Sequence, residues 1–331
     1  MNLYLPIAEI ALPLPVLFGL GIAVGVLSGM FGIGGGFITT PMLIFLGVPP
    51  AVAVGTGTSQ VVASSVSGAL GHWSRGNVDI KMGLYLIAGG LFGATTGIWL
   101  QQLLKAIGQL DFFTTMTYVI MLGAVGGLMV IEAVRALLRQ AGGQPLGSAR
   151  RGGQHSWLLR LPLKTRFPAS KLYMSAIPPL IIGAIVGWLT AIMGVGGGFL
   201  LVPALIYTIK MPTRIALGTS AFQIIFVAAY ATLLQASQNY AIDAALALPL
   251  ILGGVIGAHV GVLVAGWLNP EQLRALLGIL VLAVAIRMAG GLVLKPADLF
   301  SLDTGEIRVE KATAEKQRAT PADAADSASA R

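Results

Sequence analysis

SGMFGIGGGFITTP (Ser28–Pro41) joins an apolar run to a shorter apolar run, and it returns in the second half as AIMGVGGGFLLVP (Ala191–Pro203). Gly32, Gly34, Gly35, Gly36, Phe37 and Pro41 recur as Gly194, Gly196, Gly197, Gly198, Phe199 and Pro203, each 162 positions later. Glycine lowers helix propensity by about 1 kcal/mol relative to alanine. Three in succession end a helix and free backbone N–H groups to turn elsewhere. Both stretches are therefore expected to be breaks, with a half-helix after each.

The chain has 331 residues, 56% hydrophobic and 10% charged, with mean hydropathy +0.84. Soluble domains carry about 25% charged residues, so the composition points to an all-α polytopic membrane protein with the lipid bilayer as its first partner. The net charge of +8 would fit a nucleic-acid binder. However, most of the excess lies in one segment between apolar runs, where the positive-inside rule places it, and no nucleic-acid partner is expected. The absence of cysteine excludes disulfides, thiol catalysis and thiolate metal sites. Glu9 and the lack of Lys or Arg before the first apolar run argue for an uncleaved first helix rather than a signal peptide.

Working outward from the breaks, residues 1–138 form a first transmembrane repeat and 173–294 a second. Between them lies a basic linker (139–172), expected to be flexible and cytoplasmic; residues 295–331 follow as a tail of mixed charge, expected to be disordered. Each repeat offers five hydrophobic stretches. In the first they are Val16–Phe31, Phe37–Gly47, Ala51–Trp73, Met82–Leu104 and Phe112–Leu138. In the second they are Tyr173–Met193, Phe199–Ile209, Thr213–Gln235, Asp243–Trp267 and Glu271–Ala289. Phe37–Gly47 reaches roughly 16 Å as a helix, about half of a ~30 Å hydrocarbon core. The stripe Gly89–Gly93–Gly97 recurs as Gly253–Gly257–Gly261, and small stripes let membrane helices approach closely.

An odd number of stretches inverts the second repeat relative to the first, and loop charges agree. Arg75 and Lys81 have no basic counterpart between Gln235 and Asp243, while Lys210 and Arg214 answer the uncharged Gly47–Pro50. With the linker inside, both termini fall outside.

Inverted repeats with broken helices place a ligand at the membrane midplane between them. Half-helices starting near Phe37 and Phe199 would direct their N-termini there. Each carries about half a positive charge, which favours an anion. The expected substrate-binding set is Gly34, Gly35, Gly36, Thr56, Thr58, Ser59 and Gln60 from the first repeat, with Gly196, Gly197, Gly198, Thr219, Ser220 and Gln223 from the second. Hydroxyls and amides there would replace part of the ion's water shell. Small and hydroxylated residues also serve plain helix packing. His259 lies mid-span and is a candidate proton relay, or a hydrogen-bonded packing histidine. Arg287, near a span end, can snorkel. Glu132 and Arg135 read as a local pair. No cluster has metal-ligand spacing, and no cofactor is expected.

The pattern resembles the sulfite exporter TauE/SafE family of membrane permeases. The resemblance rests on GMFGIGGGFITTPMLIFLGVPPAVAVGTG (Gly29–Gly57), Gly76-Asn77-Val78-Asp79, GVGGGFLLVPAL (Gly194–Leu205), Pro212 and ALGTS (Ala216–Ser220). It implies a bacterial or archaeal cytoplasmic-membrane transporter associated with sulfite, sulfonates and related anions. The expectation is a secondary transporter for a small anion, sulfite or an organosulfonate, working by rocking of two halves about a midplane site. An enzyme is not expected, since no nucleophile with a base and no paired carboxylates lie at membrane depth. The rival reading is a non-transporting scaffold or accessory subunit that uses the linker and tail. Self-association into a homo-oligomer is left open.

Overall fold

A computed structural model describes residues 2–31, 34–141, 162–170, 172–265 and 270–293. Most of the basic linker, the whole tail after Val293 and the side chains of Glu132 and Arg135 lie outside the described residues. The expectations for the tail and for that pair are not addressed.

Among the described residues, each repeat shows a hairpin followed by five helical segments. The first consists of β1 (Asn2–Leu5), β2 (Ile10–Pro13), α1 (Leu14–Phe31), α2 (Gly36–Phe45), α3 (Pro50–Trp73), α4 (Ile80–Ala106) and α5 (Leu110–Ala141). The second consists of β3 (Lys164–Phe167), β4 (Leu172–Ser175), α6 (Ile177–Met193), α7 (Gly198–Pro203), α8 (Thr213–Leu234), α9 (Ala244–Ala265) and α10 (Pro270–Val293). A π-helical turn, Ala204–Thr208, extends α7, and another, Gln235–Asn239, extends α8. Both hairpins are antiparallel, with Leu5 opposite Ile10 and Phe167 opposite Leu172. Neither hairpin was expected. The second is built from the end of the basic segment, so that part of the linker is folded.

Core packing gives the direction of each element. Leu5 and Ala8 of the first hairpin share one cluster with Leu17 at the start of α1, Leu43 near the end of α2 and Ala53 at the start of α3. Helix α1 therefore enters from that end and α2 returns to it, as a re-entrant pair. Helix α3 then runs to the other end. There Met82 and Leu86 of α4 pack with Phe167 and Met174 of the second hairpin, Leu205 after α7 and Ala216 at the start of α8. The two hairpins thus mark opposite ends, as an inverted repeat requires. Three longer helices follow the broken pair in each repeat, α3–α5 and α8–α10.

The repeats are not separate lobes. Helix α1 packs on α9 of the other repeat, and α6 packs on α4. A Cβ added to Gly25 would stand 2.3 Å from the Gly254 carbonyl oxygen, and one added to Gly257 would stand 2.2 Å from that of Ile22. In the mirrored contact, a Cβ on Gly93 would stand 1.9 Å from the Ala184 oxygen, and one on Gly187 would stand 2.1 Å from that of Gly90. The glycine stripes are the surfaces of this exchange. Without side chains the backbones touch, and dispersion over the whole contact holds them.

Among the described residues, Ile80–Ala106, Leu110–Leu128, Arg214–Asn239 and Ala244–Gly261 are long and apolar enough to cross a membrane. Helix α3 is as long, but its Thr, Ser and Gln residues dilute its hydropathy. Phe92 (70% exposed), Trp99 and Leu263 lie on outer faces, where lipid takes the place of a protein core.

Candidate functional site

The two half-helices begin alike. The residue capping α2 is Gly35, at φ 72°, and the one capping α7 is Gly197, also at φ 72°. An L-residue in that left-handed region is strained by about 1–2 kcal/mol, which is why the motif is written in glycine. Gly36 N donates to the Gly34 carbonyl (3.0 Å) and Leu200 N to that of Gly197 (3.1 Å), so the first helical turn closes on the glycines themselves.

The breaks meet. A Cβ on Gly34 would stand 3.1 Å from Val61 Cγ1 and 3.7 Å from Ile224 Cγ2. One on Gly196 would stand 2.3 Å and 3.2 Å from the same two atoms. Val61 and Ile224 occupy equivalent positions in α3 and α8 and form one small buried cluster with Ala228. Phe37 and Phe199, the first side chains after the breaks, stack at 5.9 Å. Both glycine clusters therefore face one shared apolar pair, on the line where the repeats touch.

Next to that pair in sequence are Gln60 and Gln223, 1% and 0% exposed; Gln60 Nε2 lies 3.1 Å from where a Gly254 Cβ would stand, and Gln223 Nε2 3.0 Å from where a Gly90 Cβ would stand. Gln60 Oε1 accepts from the Thr39 hydroxyl at 2.5 Å, while its Nε2 has no partner. Gln223 has no partner on either amide atom, and Ser65 Oγ has none. Leu201 stands where the second repeat would need a threonine to match Thr39. The neighbouring Ser64 hydroxyl reaches the Gly34 carbonyl at 3.1 Å. A buried polar group without a partner costs about 1–3 kcal/mol, and such a group needs a reason.

The other expected residues are placed differently. Thr58 Oγ1 donates to the Val54 carbonyl (2.7 Å), Ser59 Oγ to that of Thr56 (2.6 Å) and Ser220 Oγ to that of Leu217 (2.9 Å). Each of these hydroxyls is spent on its own helix. Thr56 and Thr219 act as acceptors across the repeat boundary. Thr56 Oγ1 takes the Asp243 backbone N–H at 3.2 Å, and Thr219 Oγ1 takes that of Asp79 at 3.0 Å. His259 lies on an exposed face, with Nδ1 3.1 Å from the Val255 carbonyl and 3.4 Å from Ser67 Oγ.

Two sets of polar residues were not foreseen. Asp79 and Asp243 are 1% and 0% exposed and cap α4 and α9. Asp79 Oδ1 accepts from Met82 N (3.1 Å), and its Oδ2 accepts from the backbone N–H (3.0 Å) and the hydroxyl of Ser170 in the second hairpin. Asp243 Oδ1 accepts from Ala245 N (3.0 Å) and Leu246 N (3.2 Å), and its Oδ2 from Ile7 N (2.9 Å) in the first hairpin. Each aspartate thus ties its own helix to the other repeat's hairpin and threonine. The signal in the sequence was an aspartate just before a long span in each half. The second set is an amide cluster. Gln235 Nε2 donates to Gln101 Oε1 (2.7 Å), Asn239 Nδ2 to Gln235 Oε1 (2.7 Å) and Gln101 Nε2 to the Ala191 carbonyl (3.0 Å). With the Tyr118 hydroxyl on the Met193 carbonyl, it satisfies the end of α6 ahead of the second break.

Broken helices that meet inside a bundle of apolar spans, on an inverted repeat, are the architecture of membrane secondary transporters. Comparison with known proteins agrees. The Sulfite exporter TauE/SafE family model matches residues 17–288. The chain is 30% identical over 275 residues to a "Probable membrane transporter protein" of Xylella fastidiosa (strain 9a5c), covering 82% of this chain and 93% of the relative. It is 26% identical over 269 residues to "Probable membrane transporter protein YjnA" of Bacillus subtilis (strain 168), covering 81% and 97%. A shorter match, 31% over 126 residues, joins it to "Sulfite exporter TauE/SafE family protein 3" of Arabidopsis thaliana, covering 35% of this chain and 26% of that one. No solved structure matches. The chain belongs to the sulfite exporter TauE/SafE family of multi-pass membrane transporters.

Proposed function

We propose that this protein moves a small anion, sulfite or an organosulfonate, across the membrane by alternating access, with the anion held between the two glycine breaks. The observation that carries this reading is the convergence of both breaks on Val61 and Ile224, next in sequence to Gln60, whose Nε2 has no partner, and Gln223, whose amide has none on either atom. In the occluded form the two apolar side chains close the path. Opening parts α3 from α8, and water and the anion take the place of that contact. The anion then meets neutral donors: the Gln60 and Gln223 amides, the Ser65 hydroxyl and the start of α2. Gly34, Gly35 and Gly36, with Gly196, Gly197 and Gly198, keep the backbone bare on this path. Binding without a full countercharge is weak, which suits a carrier that must also release.

The helix exchange changes which parts rock. Because α1 is locked to α9 and α4 to α6 by backbone contact, the moving bodies are not the two sequence halves. Each pair moves as a unit, and the α3–α8 contact is where they separate. The name of the Arabidopsis relative favours sulfite as cargo. Counterflow of labelled sulfite or methanesulfonate into proteoliposomes of the purified chain tests the reading. Flux above empty vesicles supports it; flux equal to empty vesicles for both anions ends it.

A further inference from the structure

Resting on that transport reading, we infer that the centre accepts oxyanions only as monoanions, a sulfonate or hydrogensulfite, and rejects dianions such as sulfate. Among the described residues, the only buried charged side chains are Asp79 and Asp243, and no buried cation stands beside the breaks. On α3 and α8 near the breaks the open hydrogen-bonding capacity is neutral, with Gln60 Nε2, Gln223 Nε2 and Ser65 Oγ as donors and Gln223 Oε1 as an acceptor; the other unpartnered buried atoms, His72 Nδ1 in the last turn of α3 and Thr165 Oγ1 in β3, lie away from them. Ser65 Oγ points at the first break, 3.1 Å from where a Gly34 Cβ would stand.

These groups set a charge limit. The cost of taking an ion out of water grows with the square of its charge, about fourfold from monoanion to dianion. The return from neutral donors grows only in proportion to charge. The apolar walls given by Val61 and Ile224 keep the local dielectric low, which sharpens the difference. The two aspartates add to it. The Asp79 backbone N–H donates to Thr219 Oγ1 at 3.0 Å, one helical turn before Gln223, and the Asp243 backbone N–H donates to Thr56 Oγ1 at 3.2 Å, one turn before Gln60, so each carboxylate is anchored about a turn away on the helix cap and hairpin N–H groups. Repulsion from these carboxylates doubles for a dianion. Gln223 Oε1, an acceptor without a donor, is matched by the proton that hydrogensulfite retains and sulfite has lost.

The test is uptake of labelled sulfite and of labelled methanesulfonate by proteoliposomes of the full chain, from pH 6 to pH 9, with sulfate as competitor. Methanesulfonate is a monoanion throughout, so its flux should stay level. Sulfite flux should follow the hydrogensulfite fraction, falling about tenfold per pH unit above the second ionisation. Sulfate in large excess should leave both fluxes unchanged. Sulfite flux that holds or rises toward pH 9, or sulfate that competes at parity with methanesulfonate, overturns the charge limit while leaving transport standing. Methanesulfonate flux that climbs in parallel with sulfite as pH falls assigns the effect to proton coupling and also overturns it. If neither anion moves faster than in empty vesicles, the transport reading fails and takes this inference with it.

Discussion

Gly36 and Gly194, which begin and end helices in different repeats, lie so close that a Cβ on Gly36 would stand 2.7 Å from the Gly194 carbonyl oxygen and 2.5 Å from Val61 Cγ2. One methyl group therefore tests whether the breaks must touch. Gly36→Ala should lower stability by about 1–3 kcal/mol through overpacking and cut anion flux. Combining it with Val61→Ala removes the closest of the three clashes, so part of the loss should return, with a coupling of about 0.5–3 kcal/mol in a double-mutant cycle. Thermal unfolding of the purified variants in detergent measures this. Additive effects of the two substitutions would show that the contact is slack.

The two classes of buried glutamine should respond in opposite ways. Gln223 has no hydrogen-bond partner, so Gln223→Leu removes an unmet desolvation cost. The fold should be unchanged or steadier by about 1 kcal/mol, while flux drops at least about tenfold, the equivalent of one lost hydrogen bond to a charged group. Gln101 is bonded to Gln235, Asn239 and the Ala191 carbonyl. Gln101→Leu should cost about 1–3 kcal/mol by stranding those groups. Unfolding curves and flux measured side by side separate the two. A Gln223→Leu variant as active as the parent removes that amide from the site.

The aspartate ties predict a further pair of effects. Asp79→Ala loses a helix cap, worth about 1 kcal/mol, and leaves the Ser170 and Met82 amides without acceptors at about 1–3 kcal/mol. Asp243→Ala should do the same at the opposite end through Ile7, Ala245 and Leu246. Limited proteolysis should then cut the second hairpin faster in Asp79→Ala and the first hairpin faster in Asp243→Ala. Equal cutting of both hairpins in both variants would contradict the one-to-one pairing.

The break motif was legible because it is duplicated and glycine has few other uses in such a pattern. The ten helical segments were legible because apolar runs separated by glycine, proline and charged breaks are hard to mistake. The structure moves their ends by a few residues; α6, for example, starts at Ile177 because Leu172–Ser175 belongs to β4. The hairpins were not legible. Four-residue strands such as Asn2–Leu5 look like the apolar lead-in to a helix, and the second hairpin sits in a segment whose arginines and glycines read as linker. Nor does a stripe such as Gly89–Gly93–Gly97 name its partner. It announces close packing, and only the fold shows that the partner is α6 of the other repeat. Among the site residues, the sequence could not separate hydroxyls bonded within their own helix, such as Thr58 and Ser59, from amides left open, such as Gln60 and Gln223. That depends on helix rotation, which weak amphipathicity leaves undetermined.

The stripes make a prediction of their own. Gly93→Leu and Gly257→Leu each drive a side chain into backbone that a Cβ alone would meet at 1.9 Å or 2.2 Å. Both should fail to yield a monodisperse purified protein. Gly127→Leu, where a Cβ would meet nothing within 4 Å, should be tolerated. A well-behaved Gly93→Leu protein would argue against the exchanged packing of α4 and α6.

Parting of α3 from α8 at Val61 and Ile224 during transport is open to a direct crosslinking test with Val61→Cys and Ile224→Cys. The chain has no native cysteine, so any disulfide formed within it reports on this pair alone. Oxidation in proteoliposomes should join the two positions and lower sulfite flux at least about tenfold, and reductant should restore it. A pair that crosslinks fully and still carries sulfite at the reduced protein's rate would contradict the account.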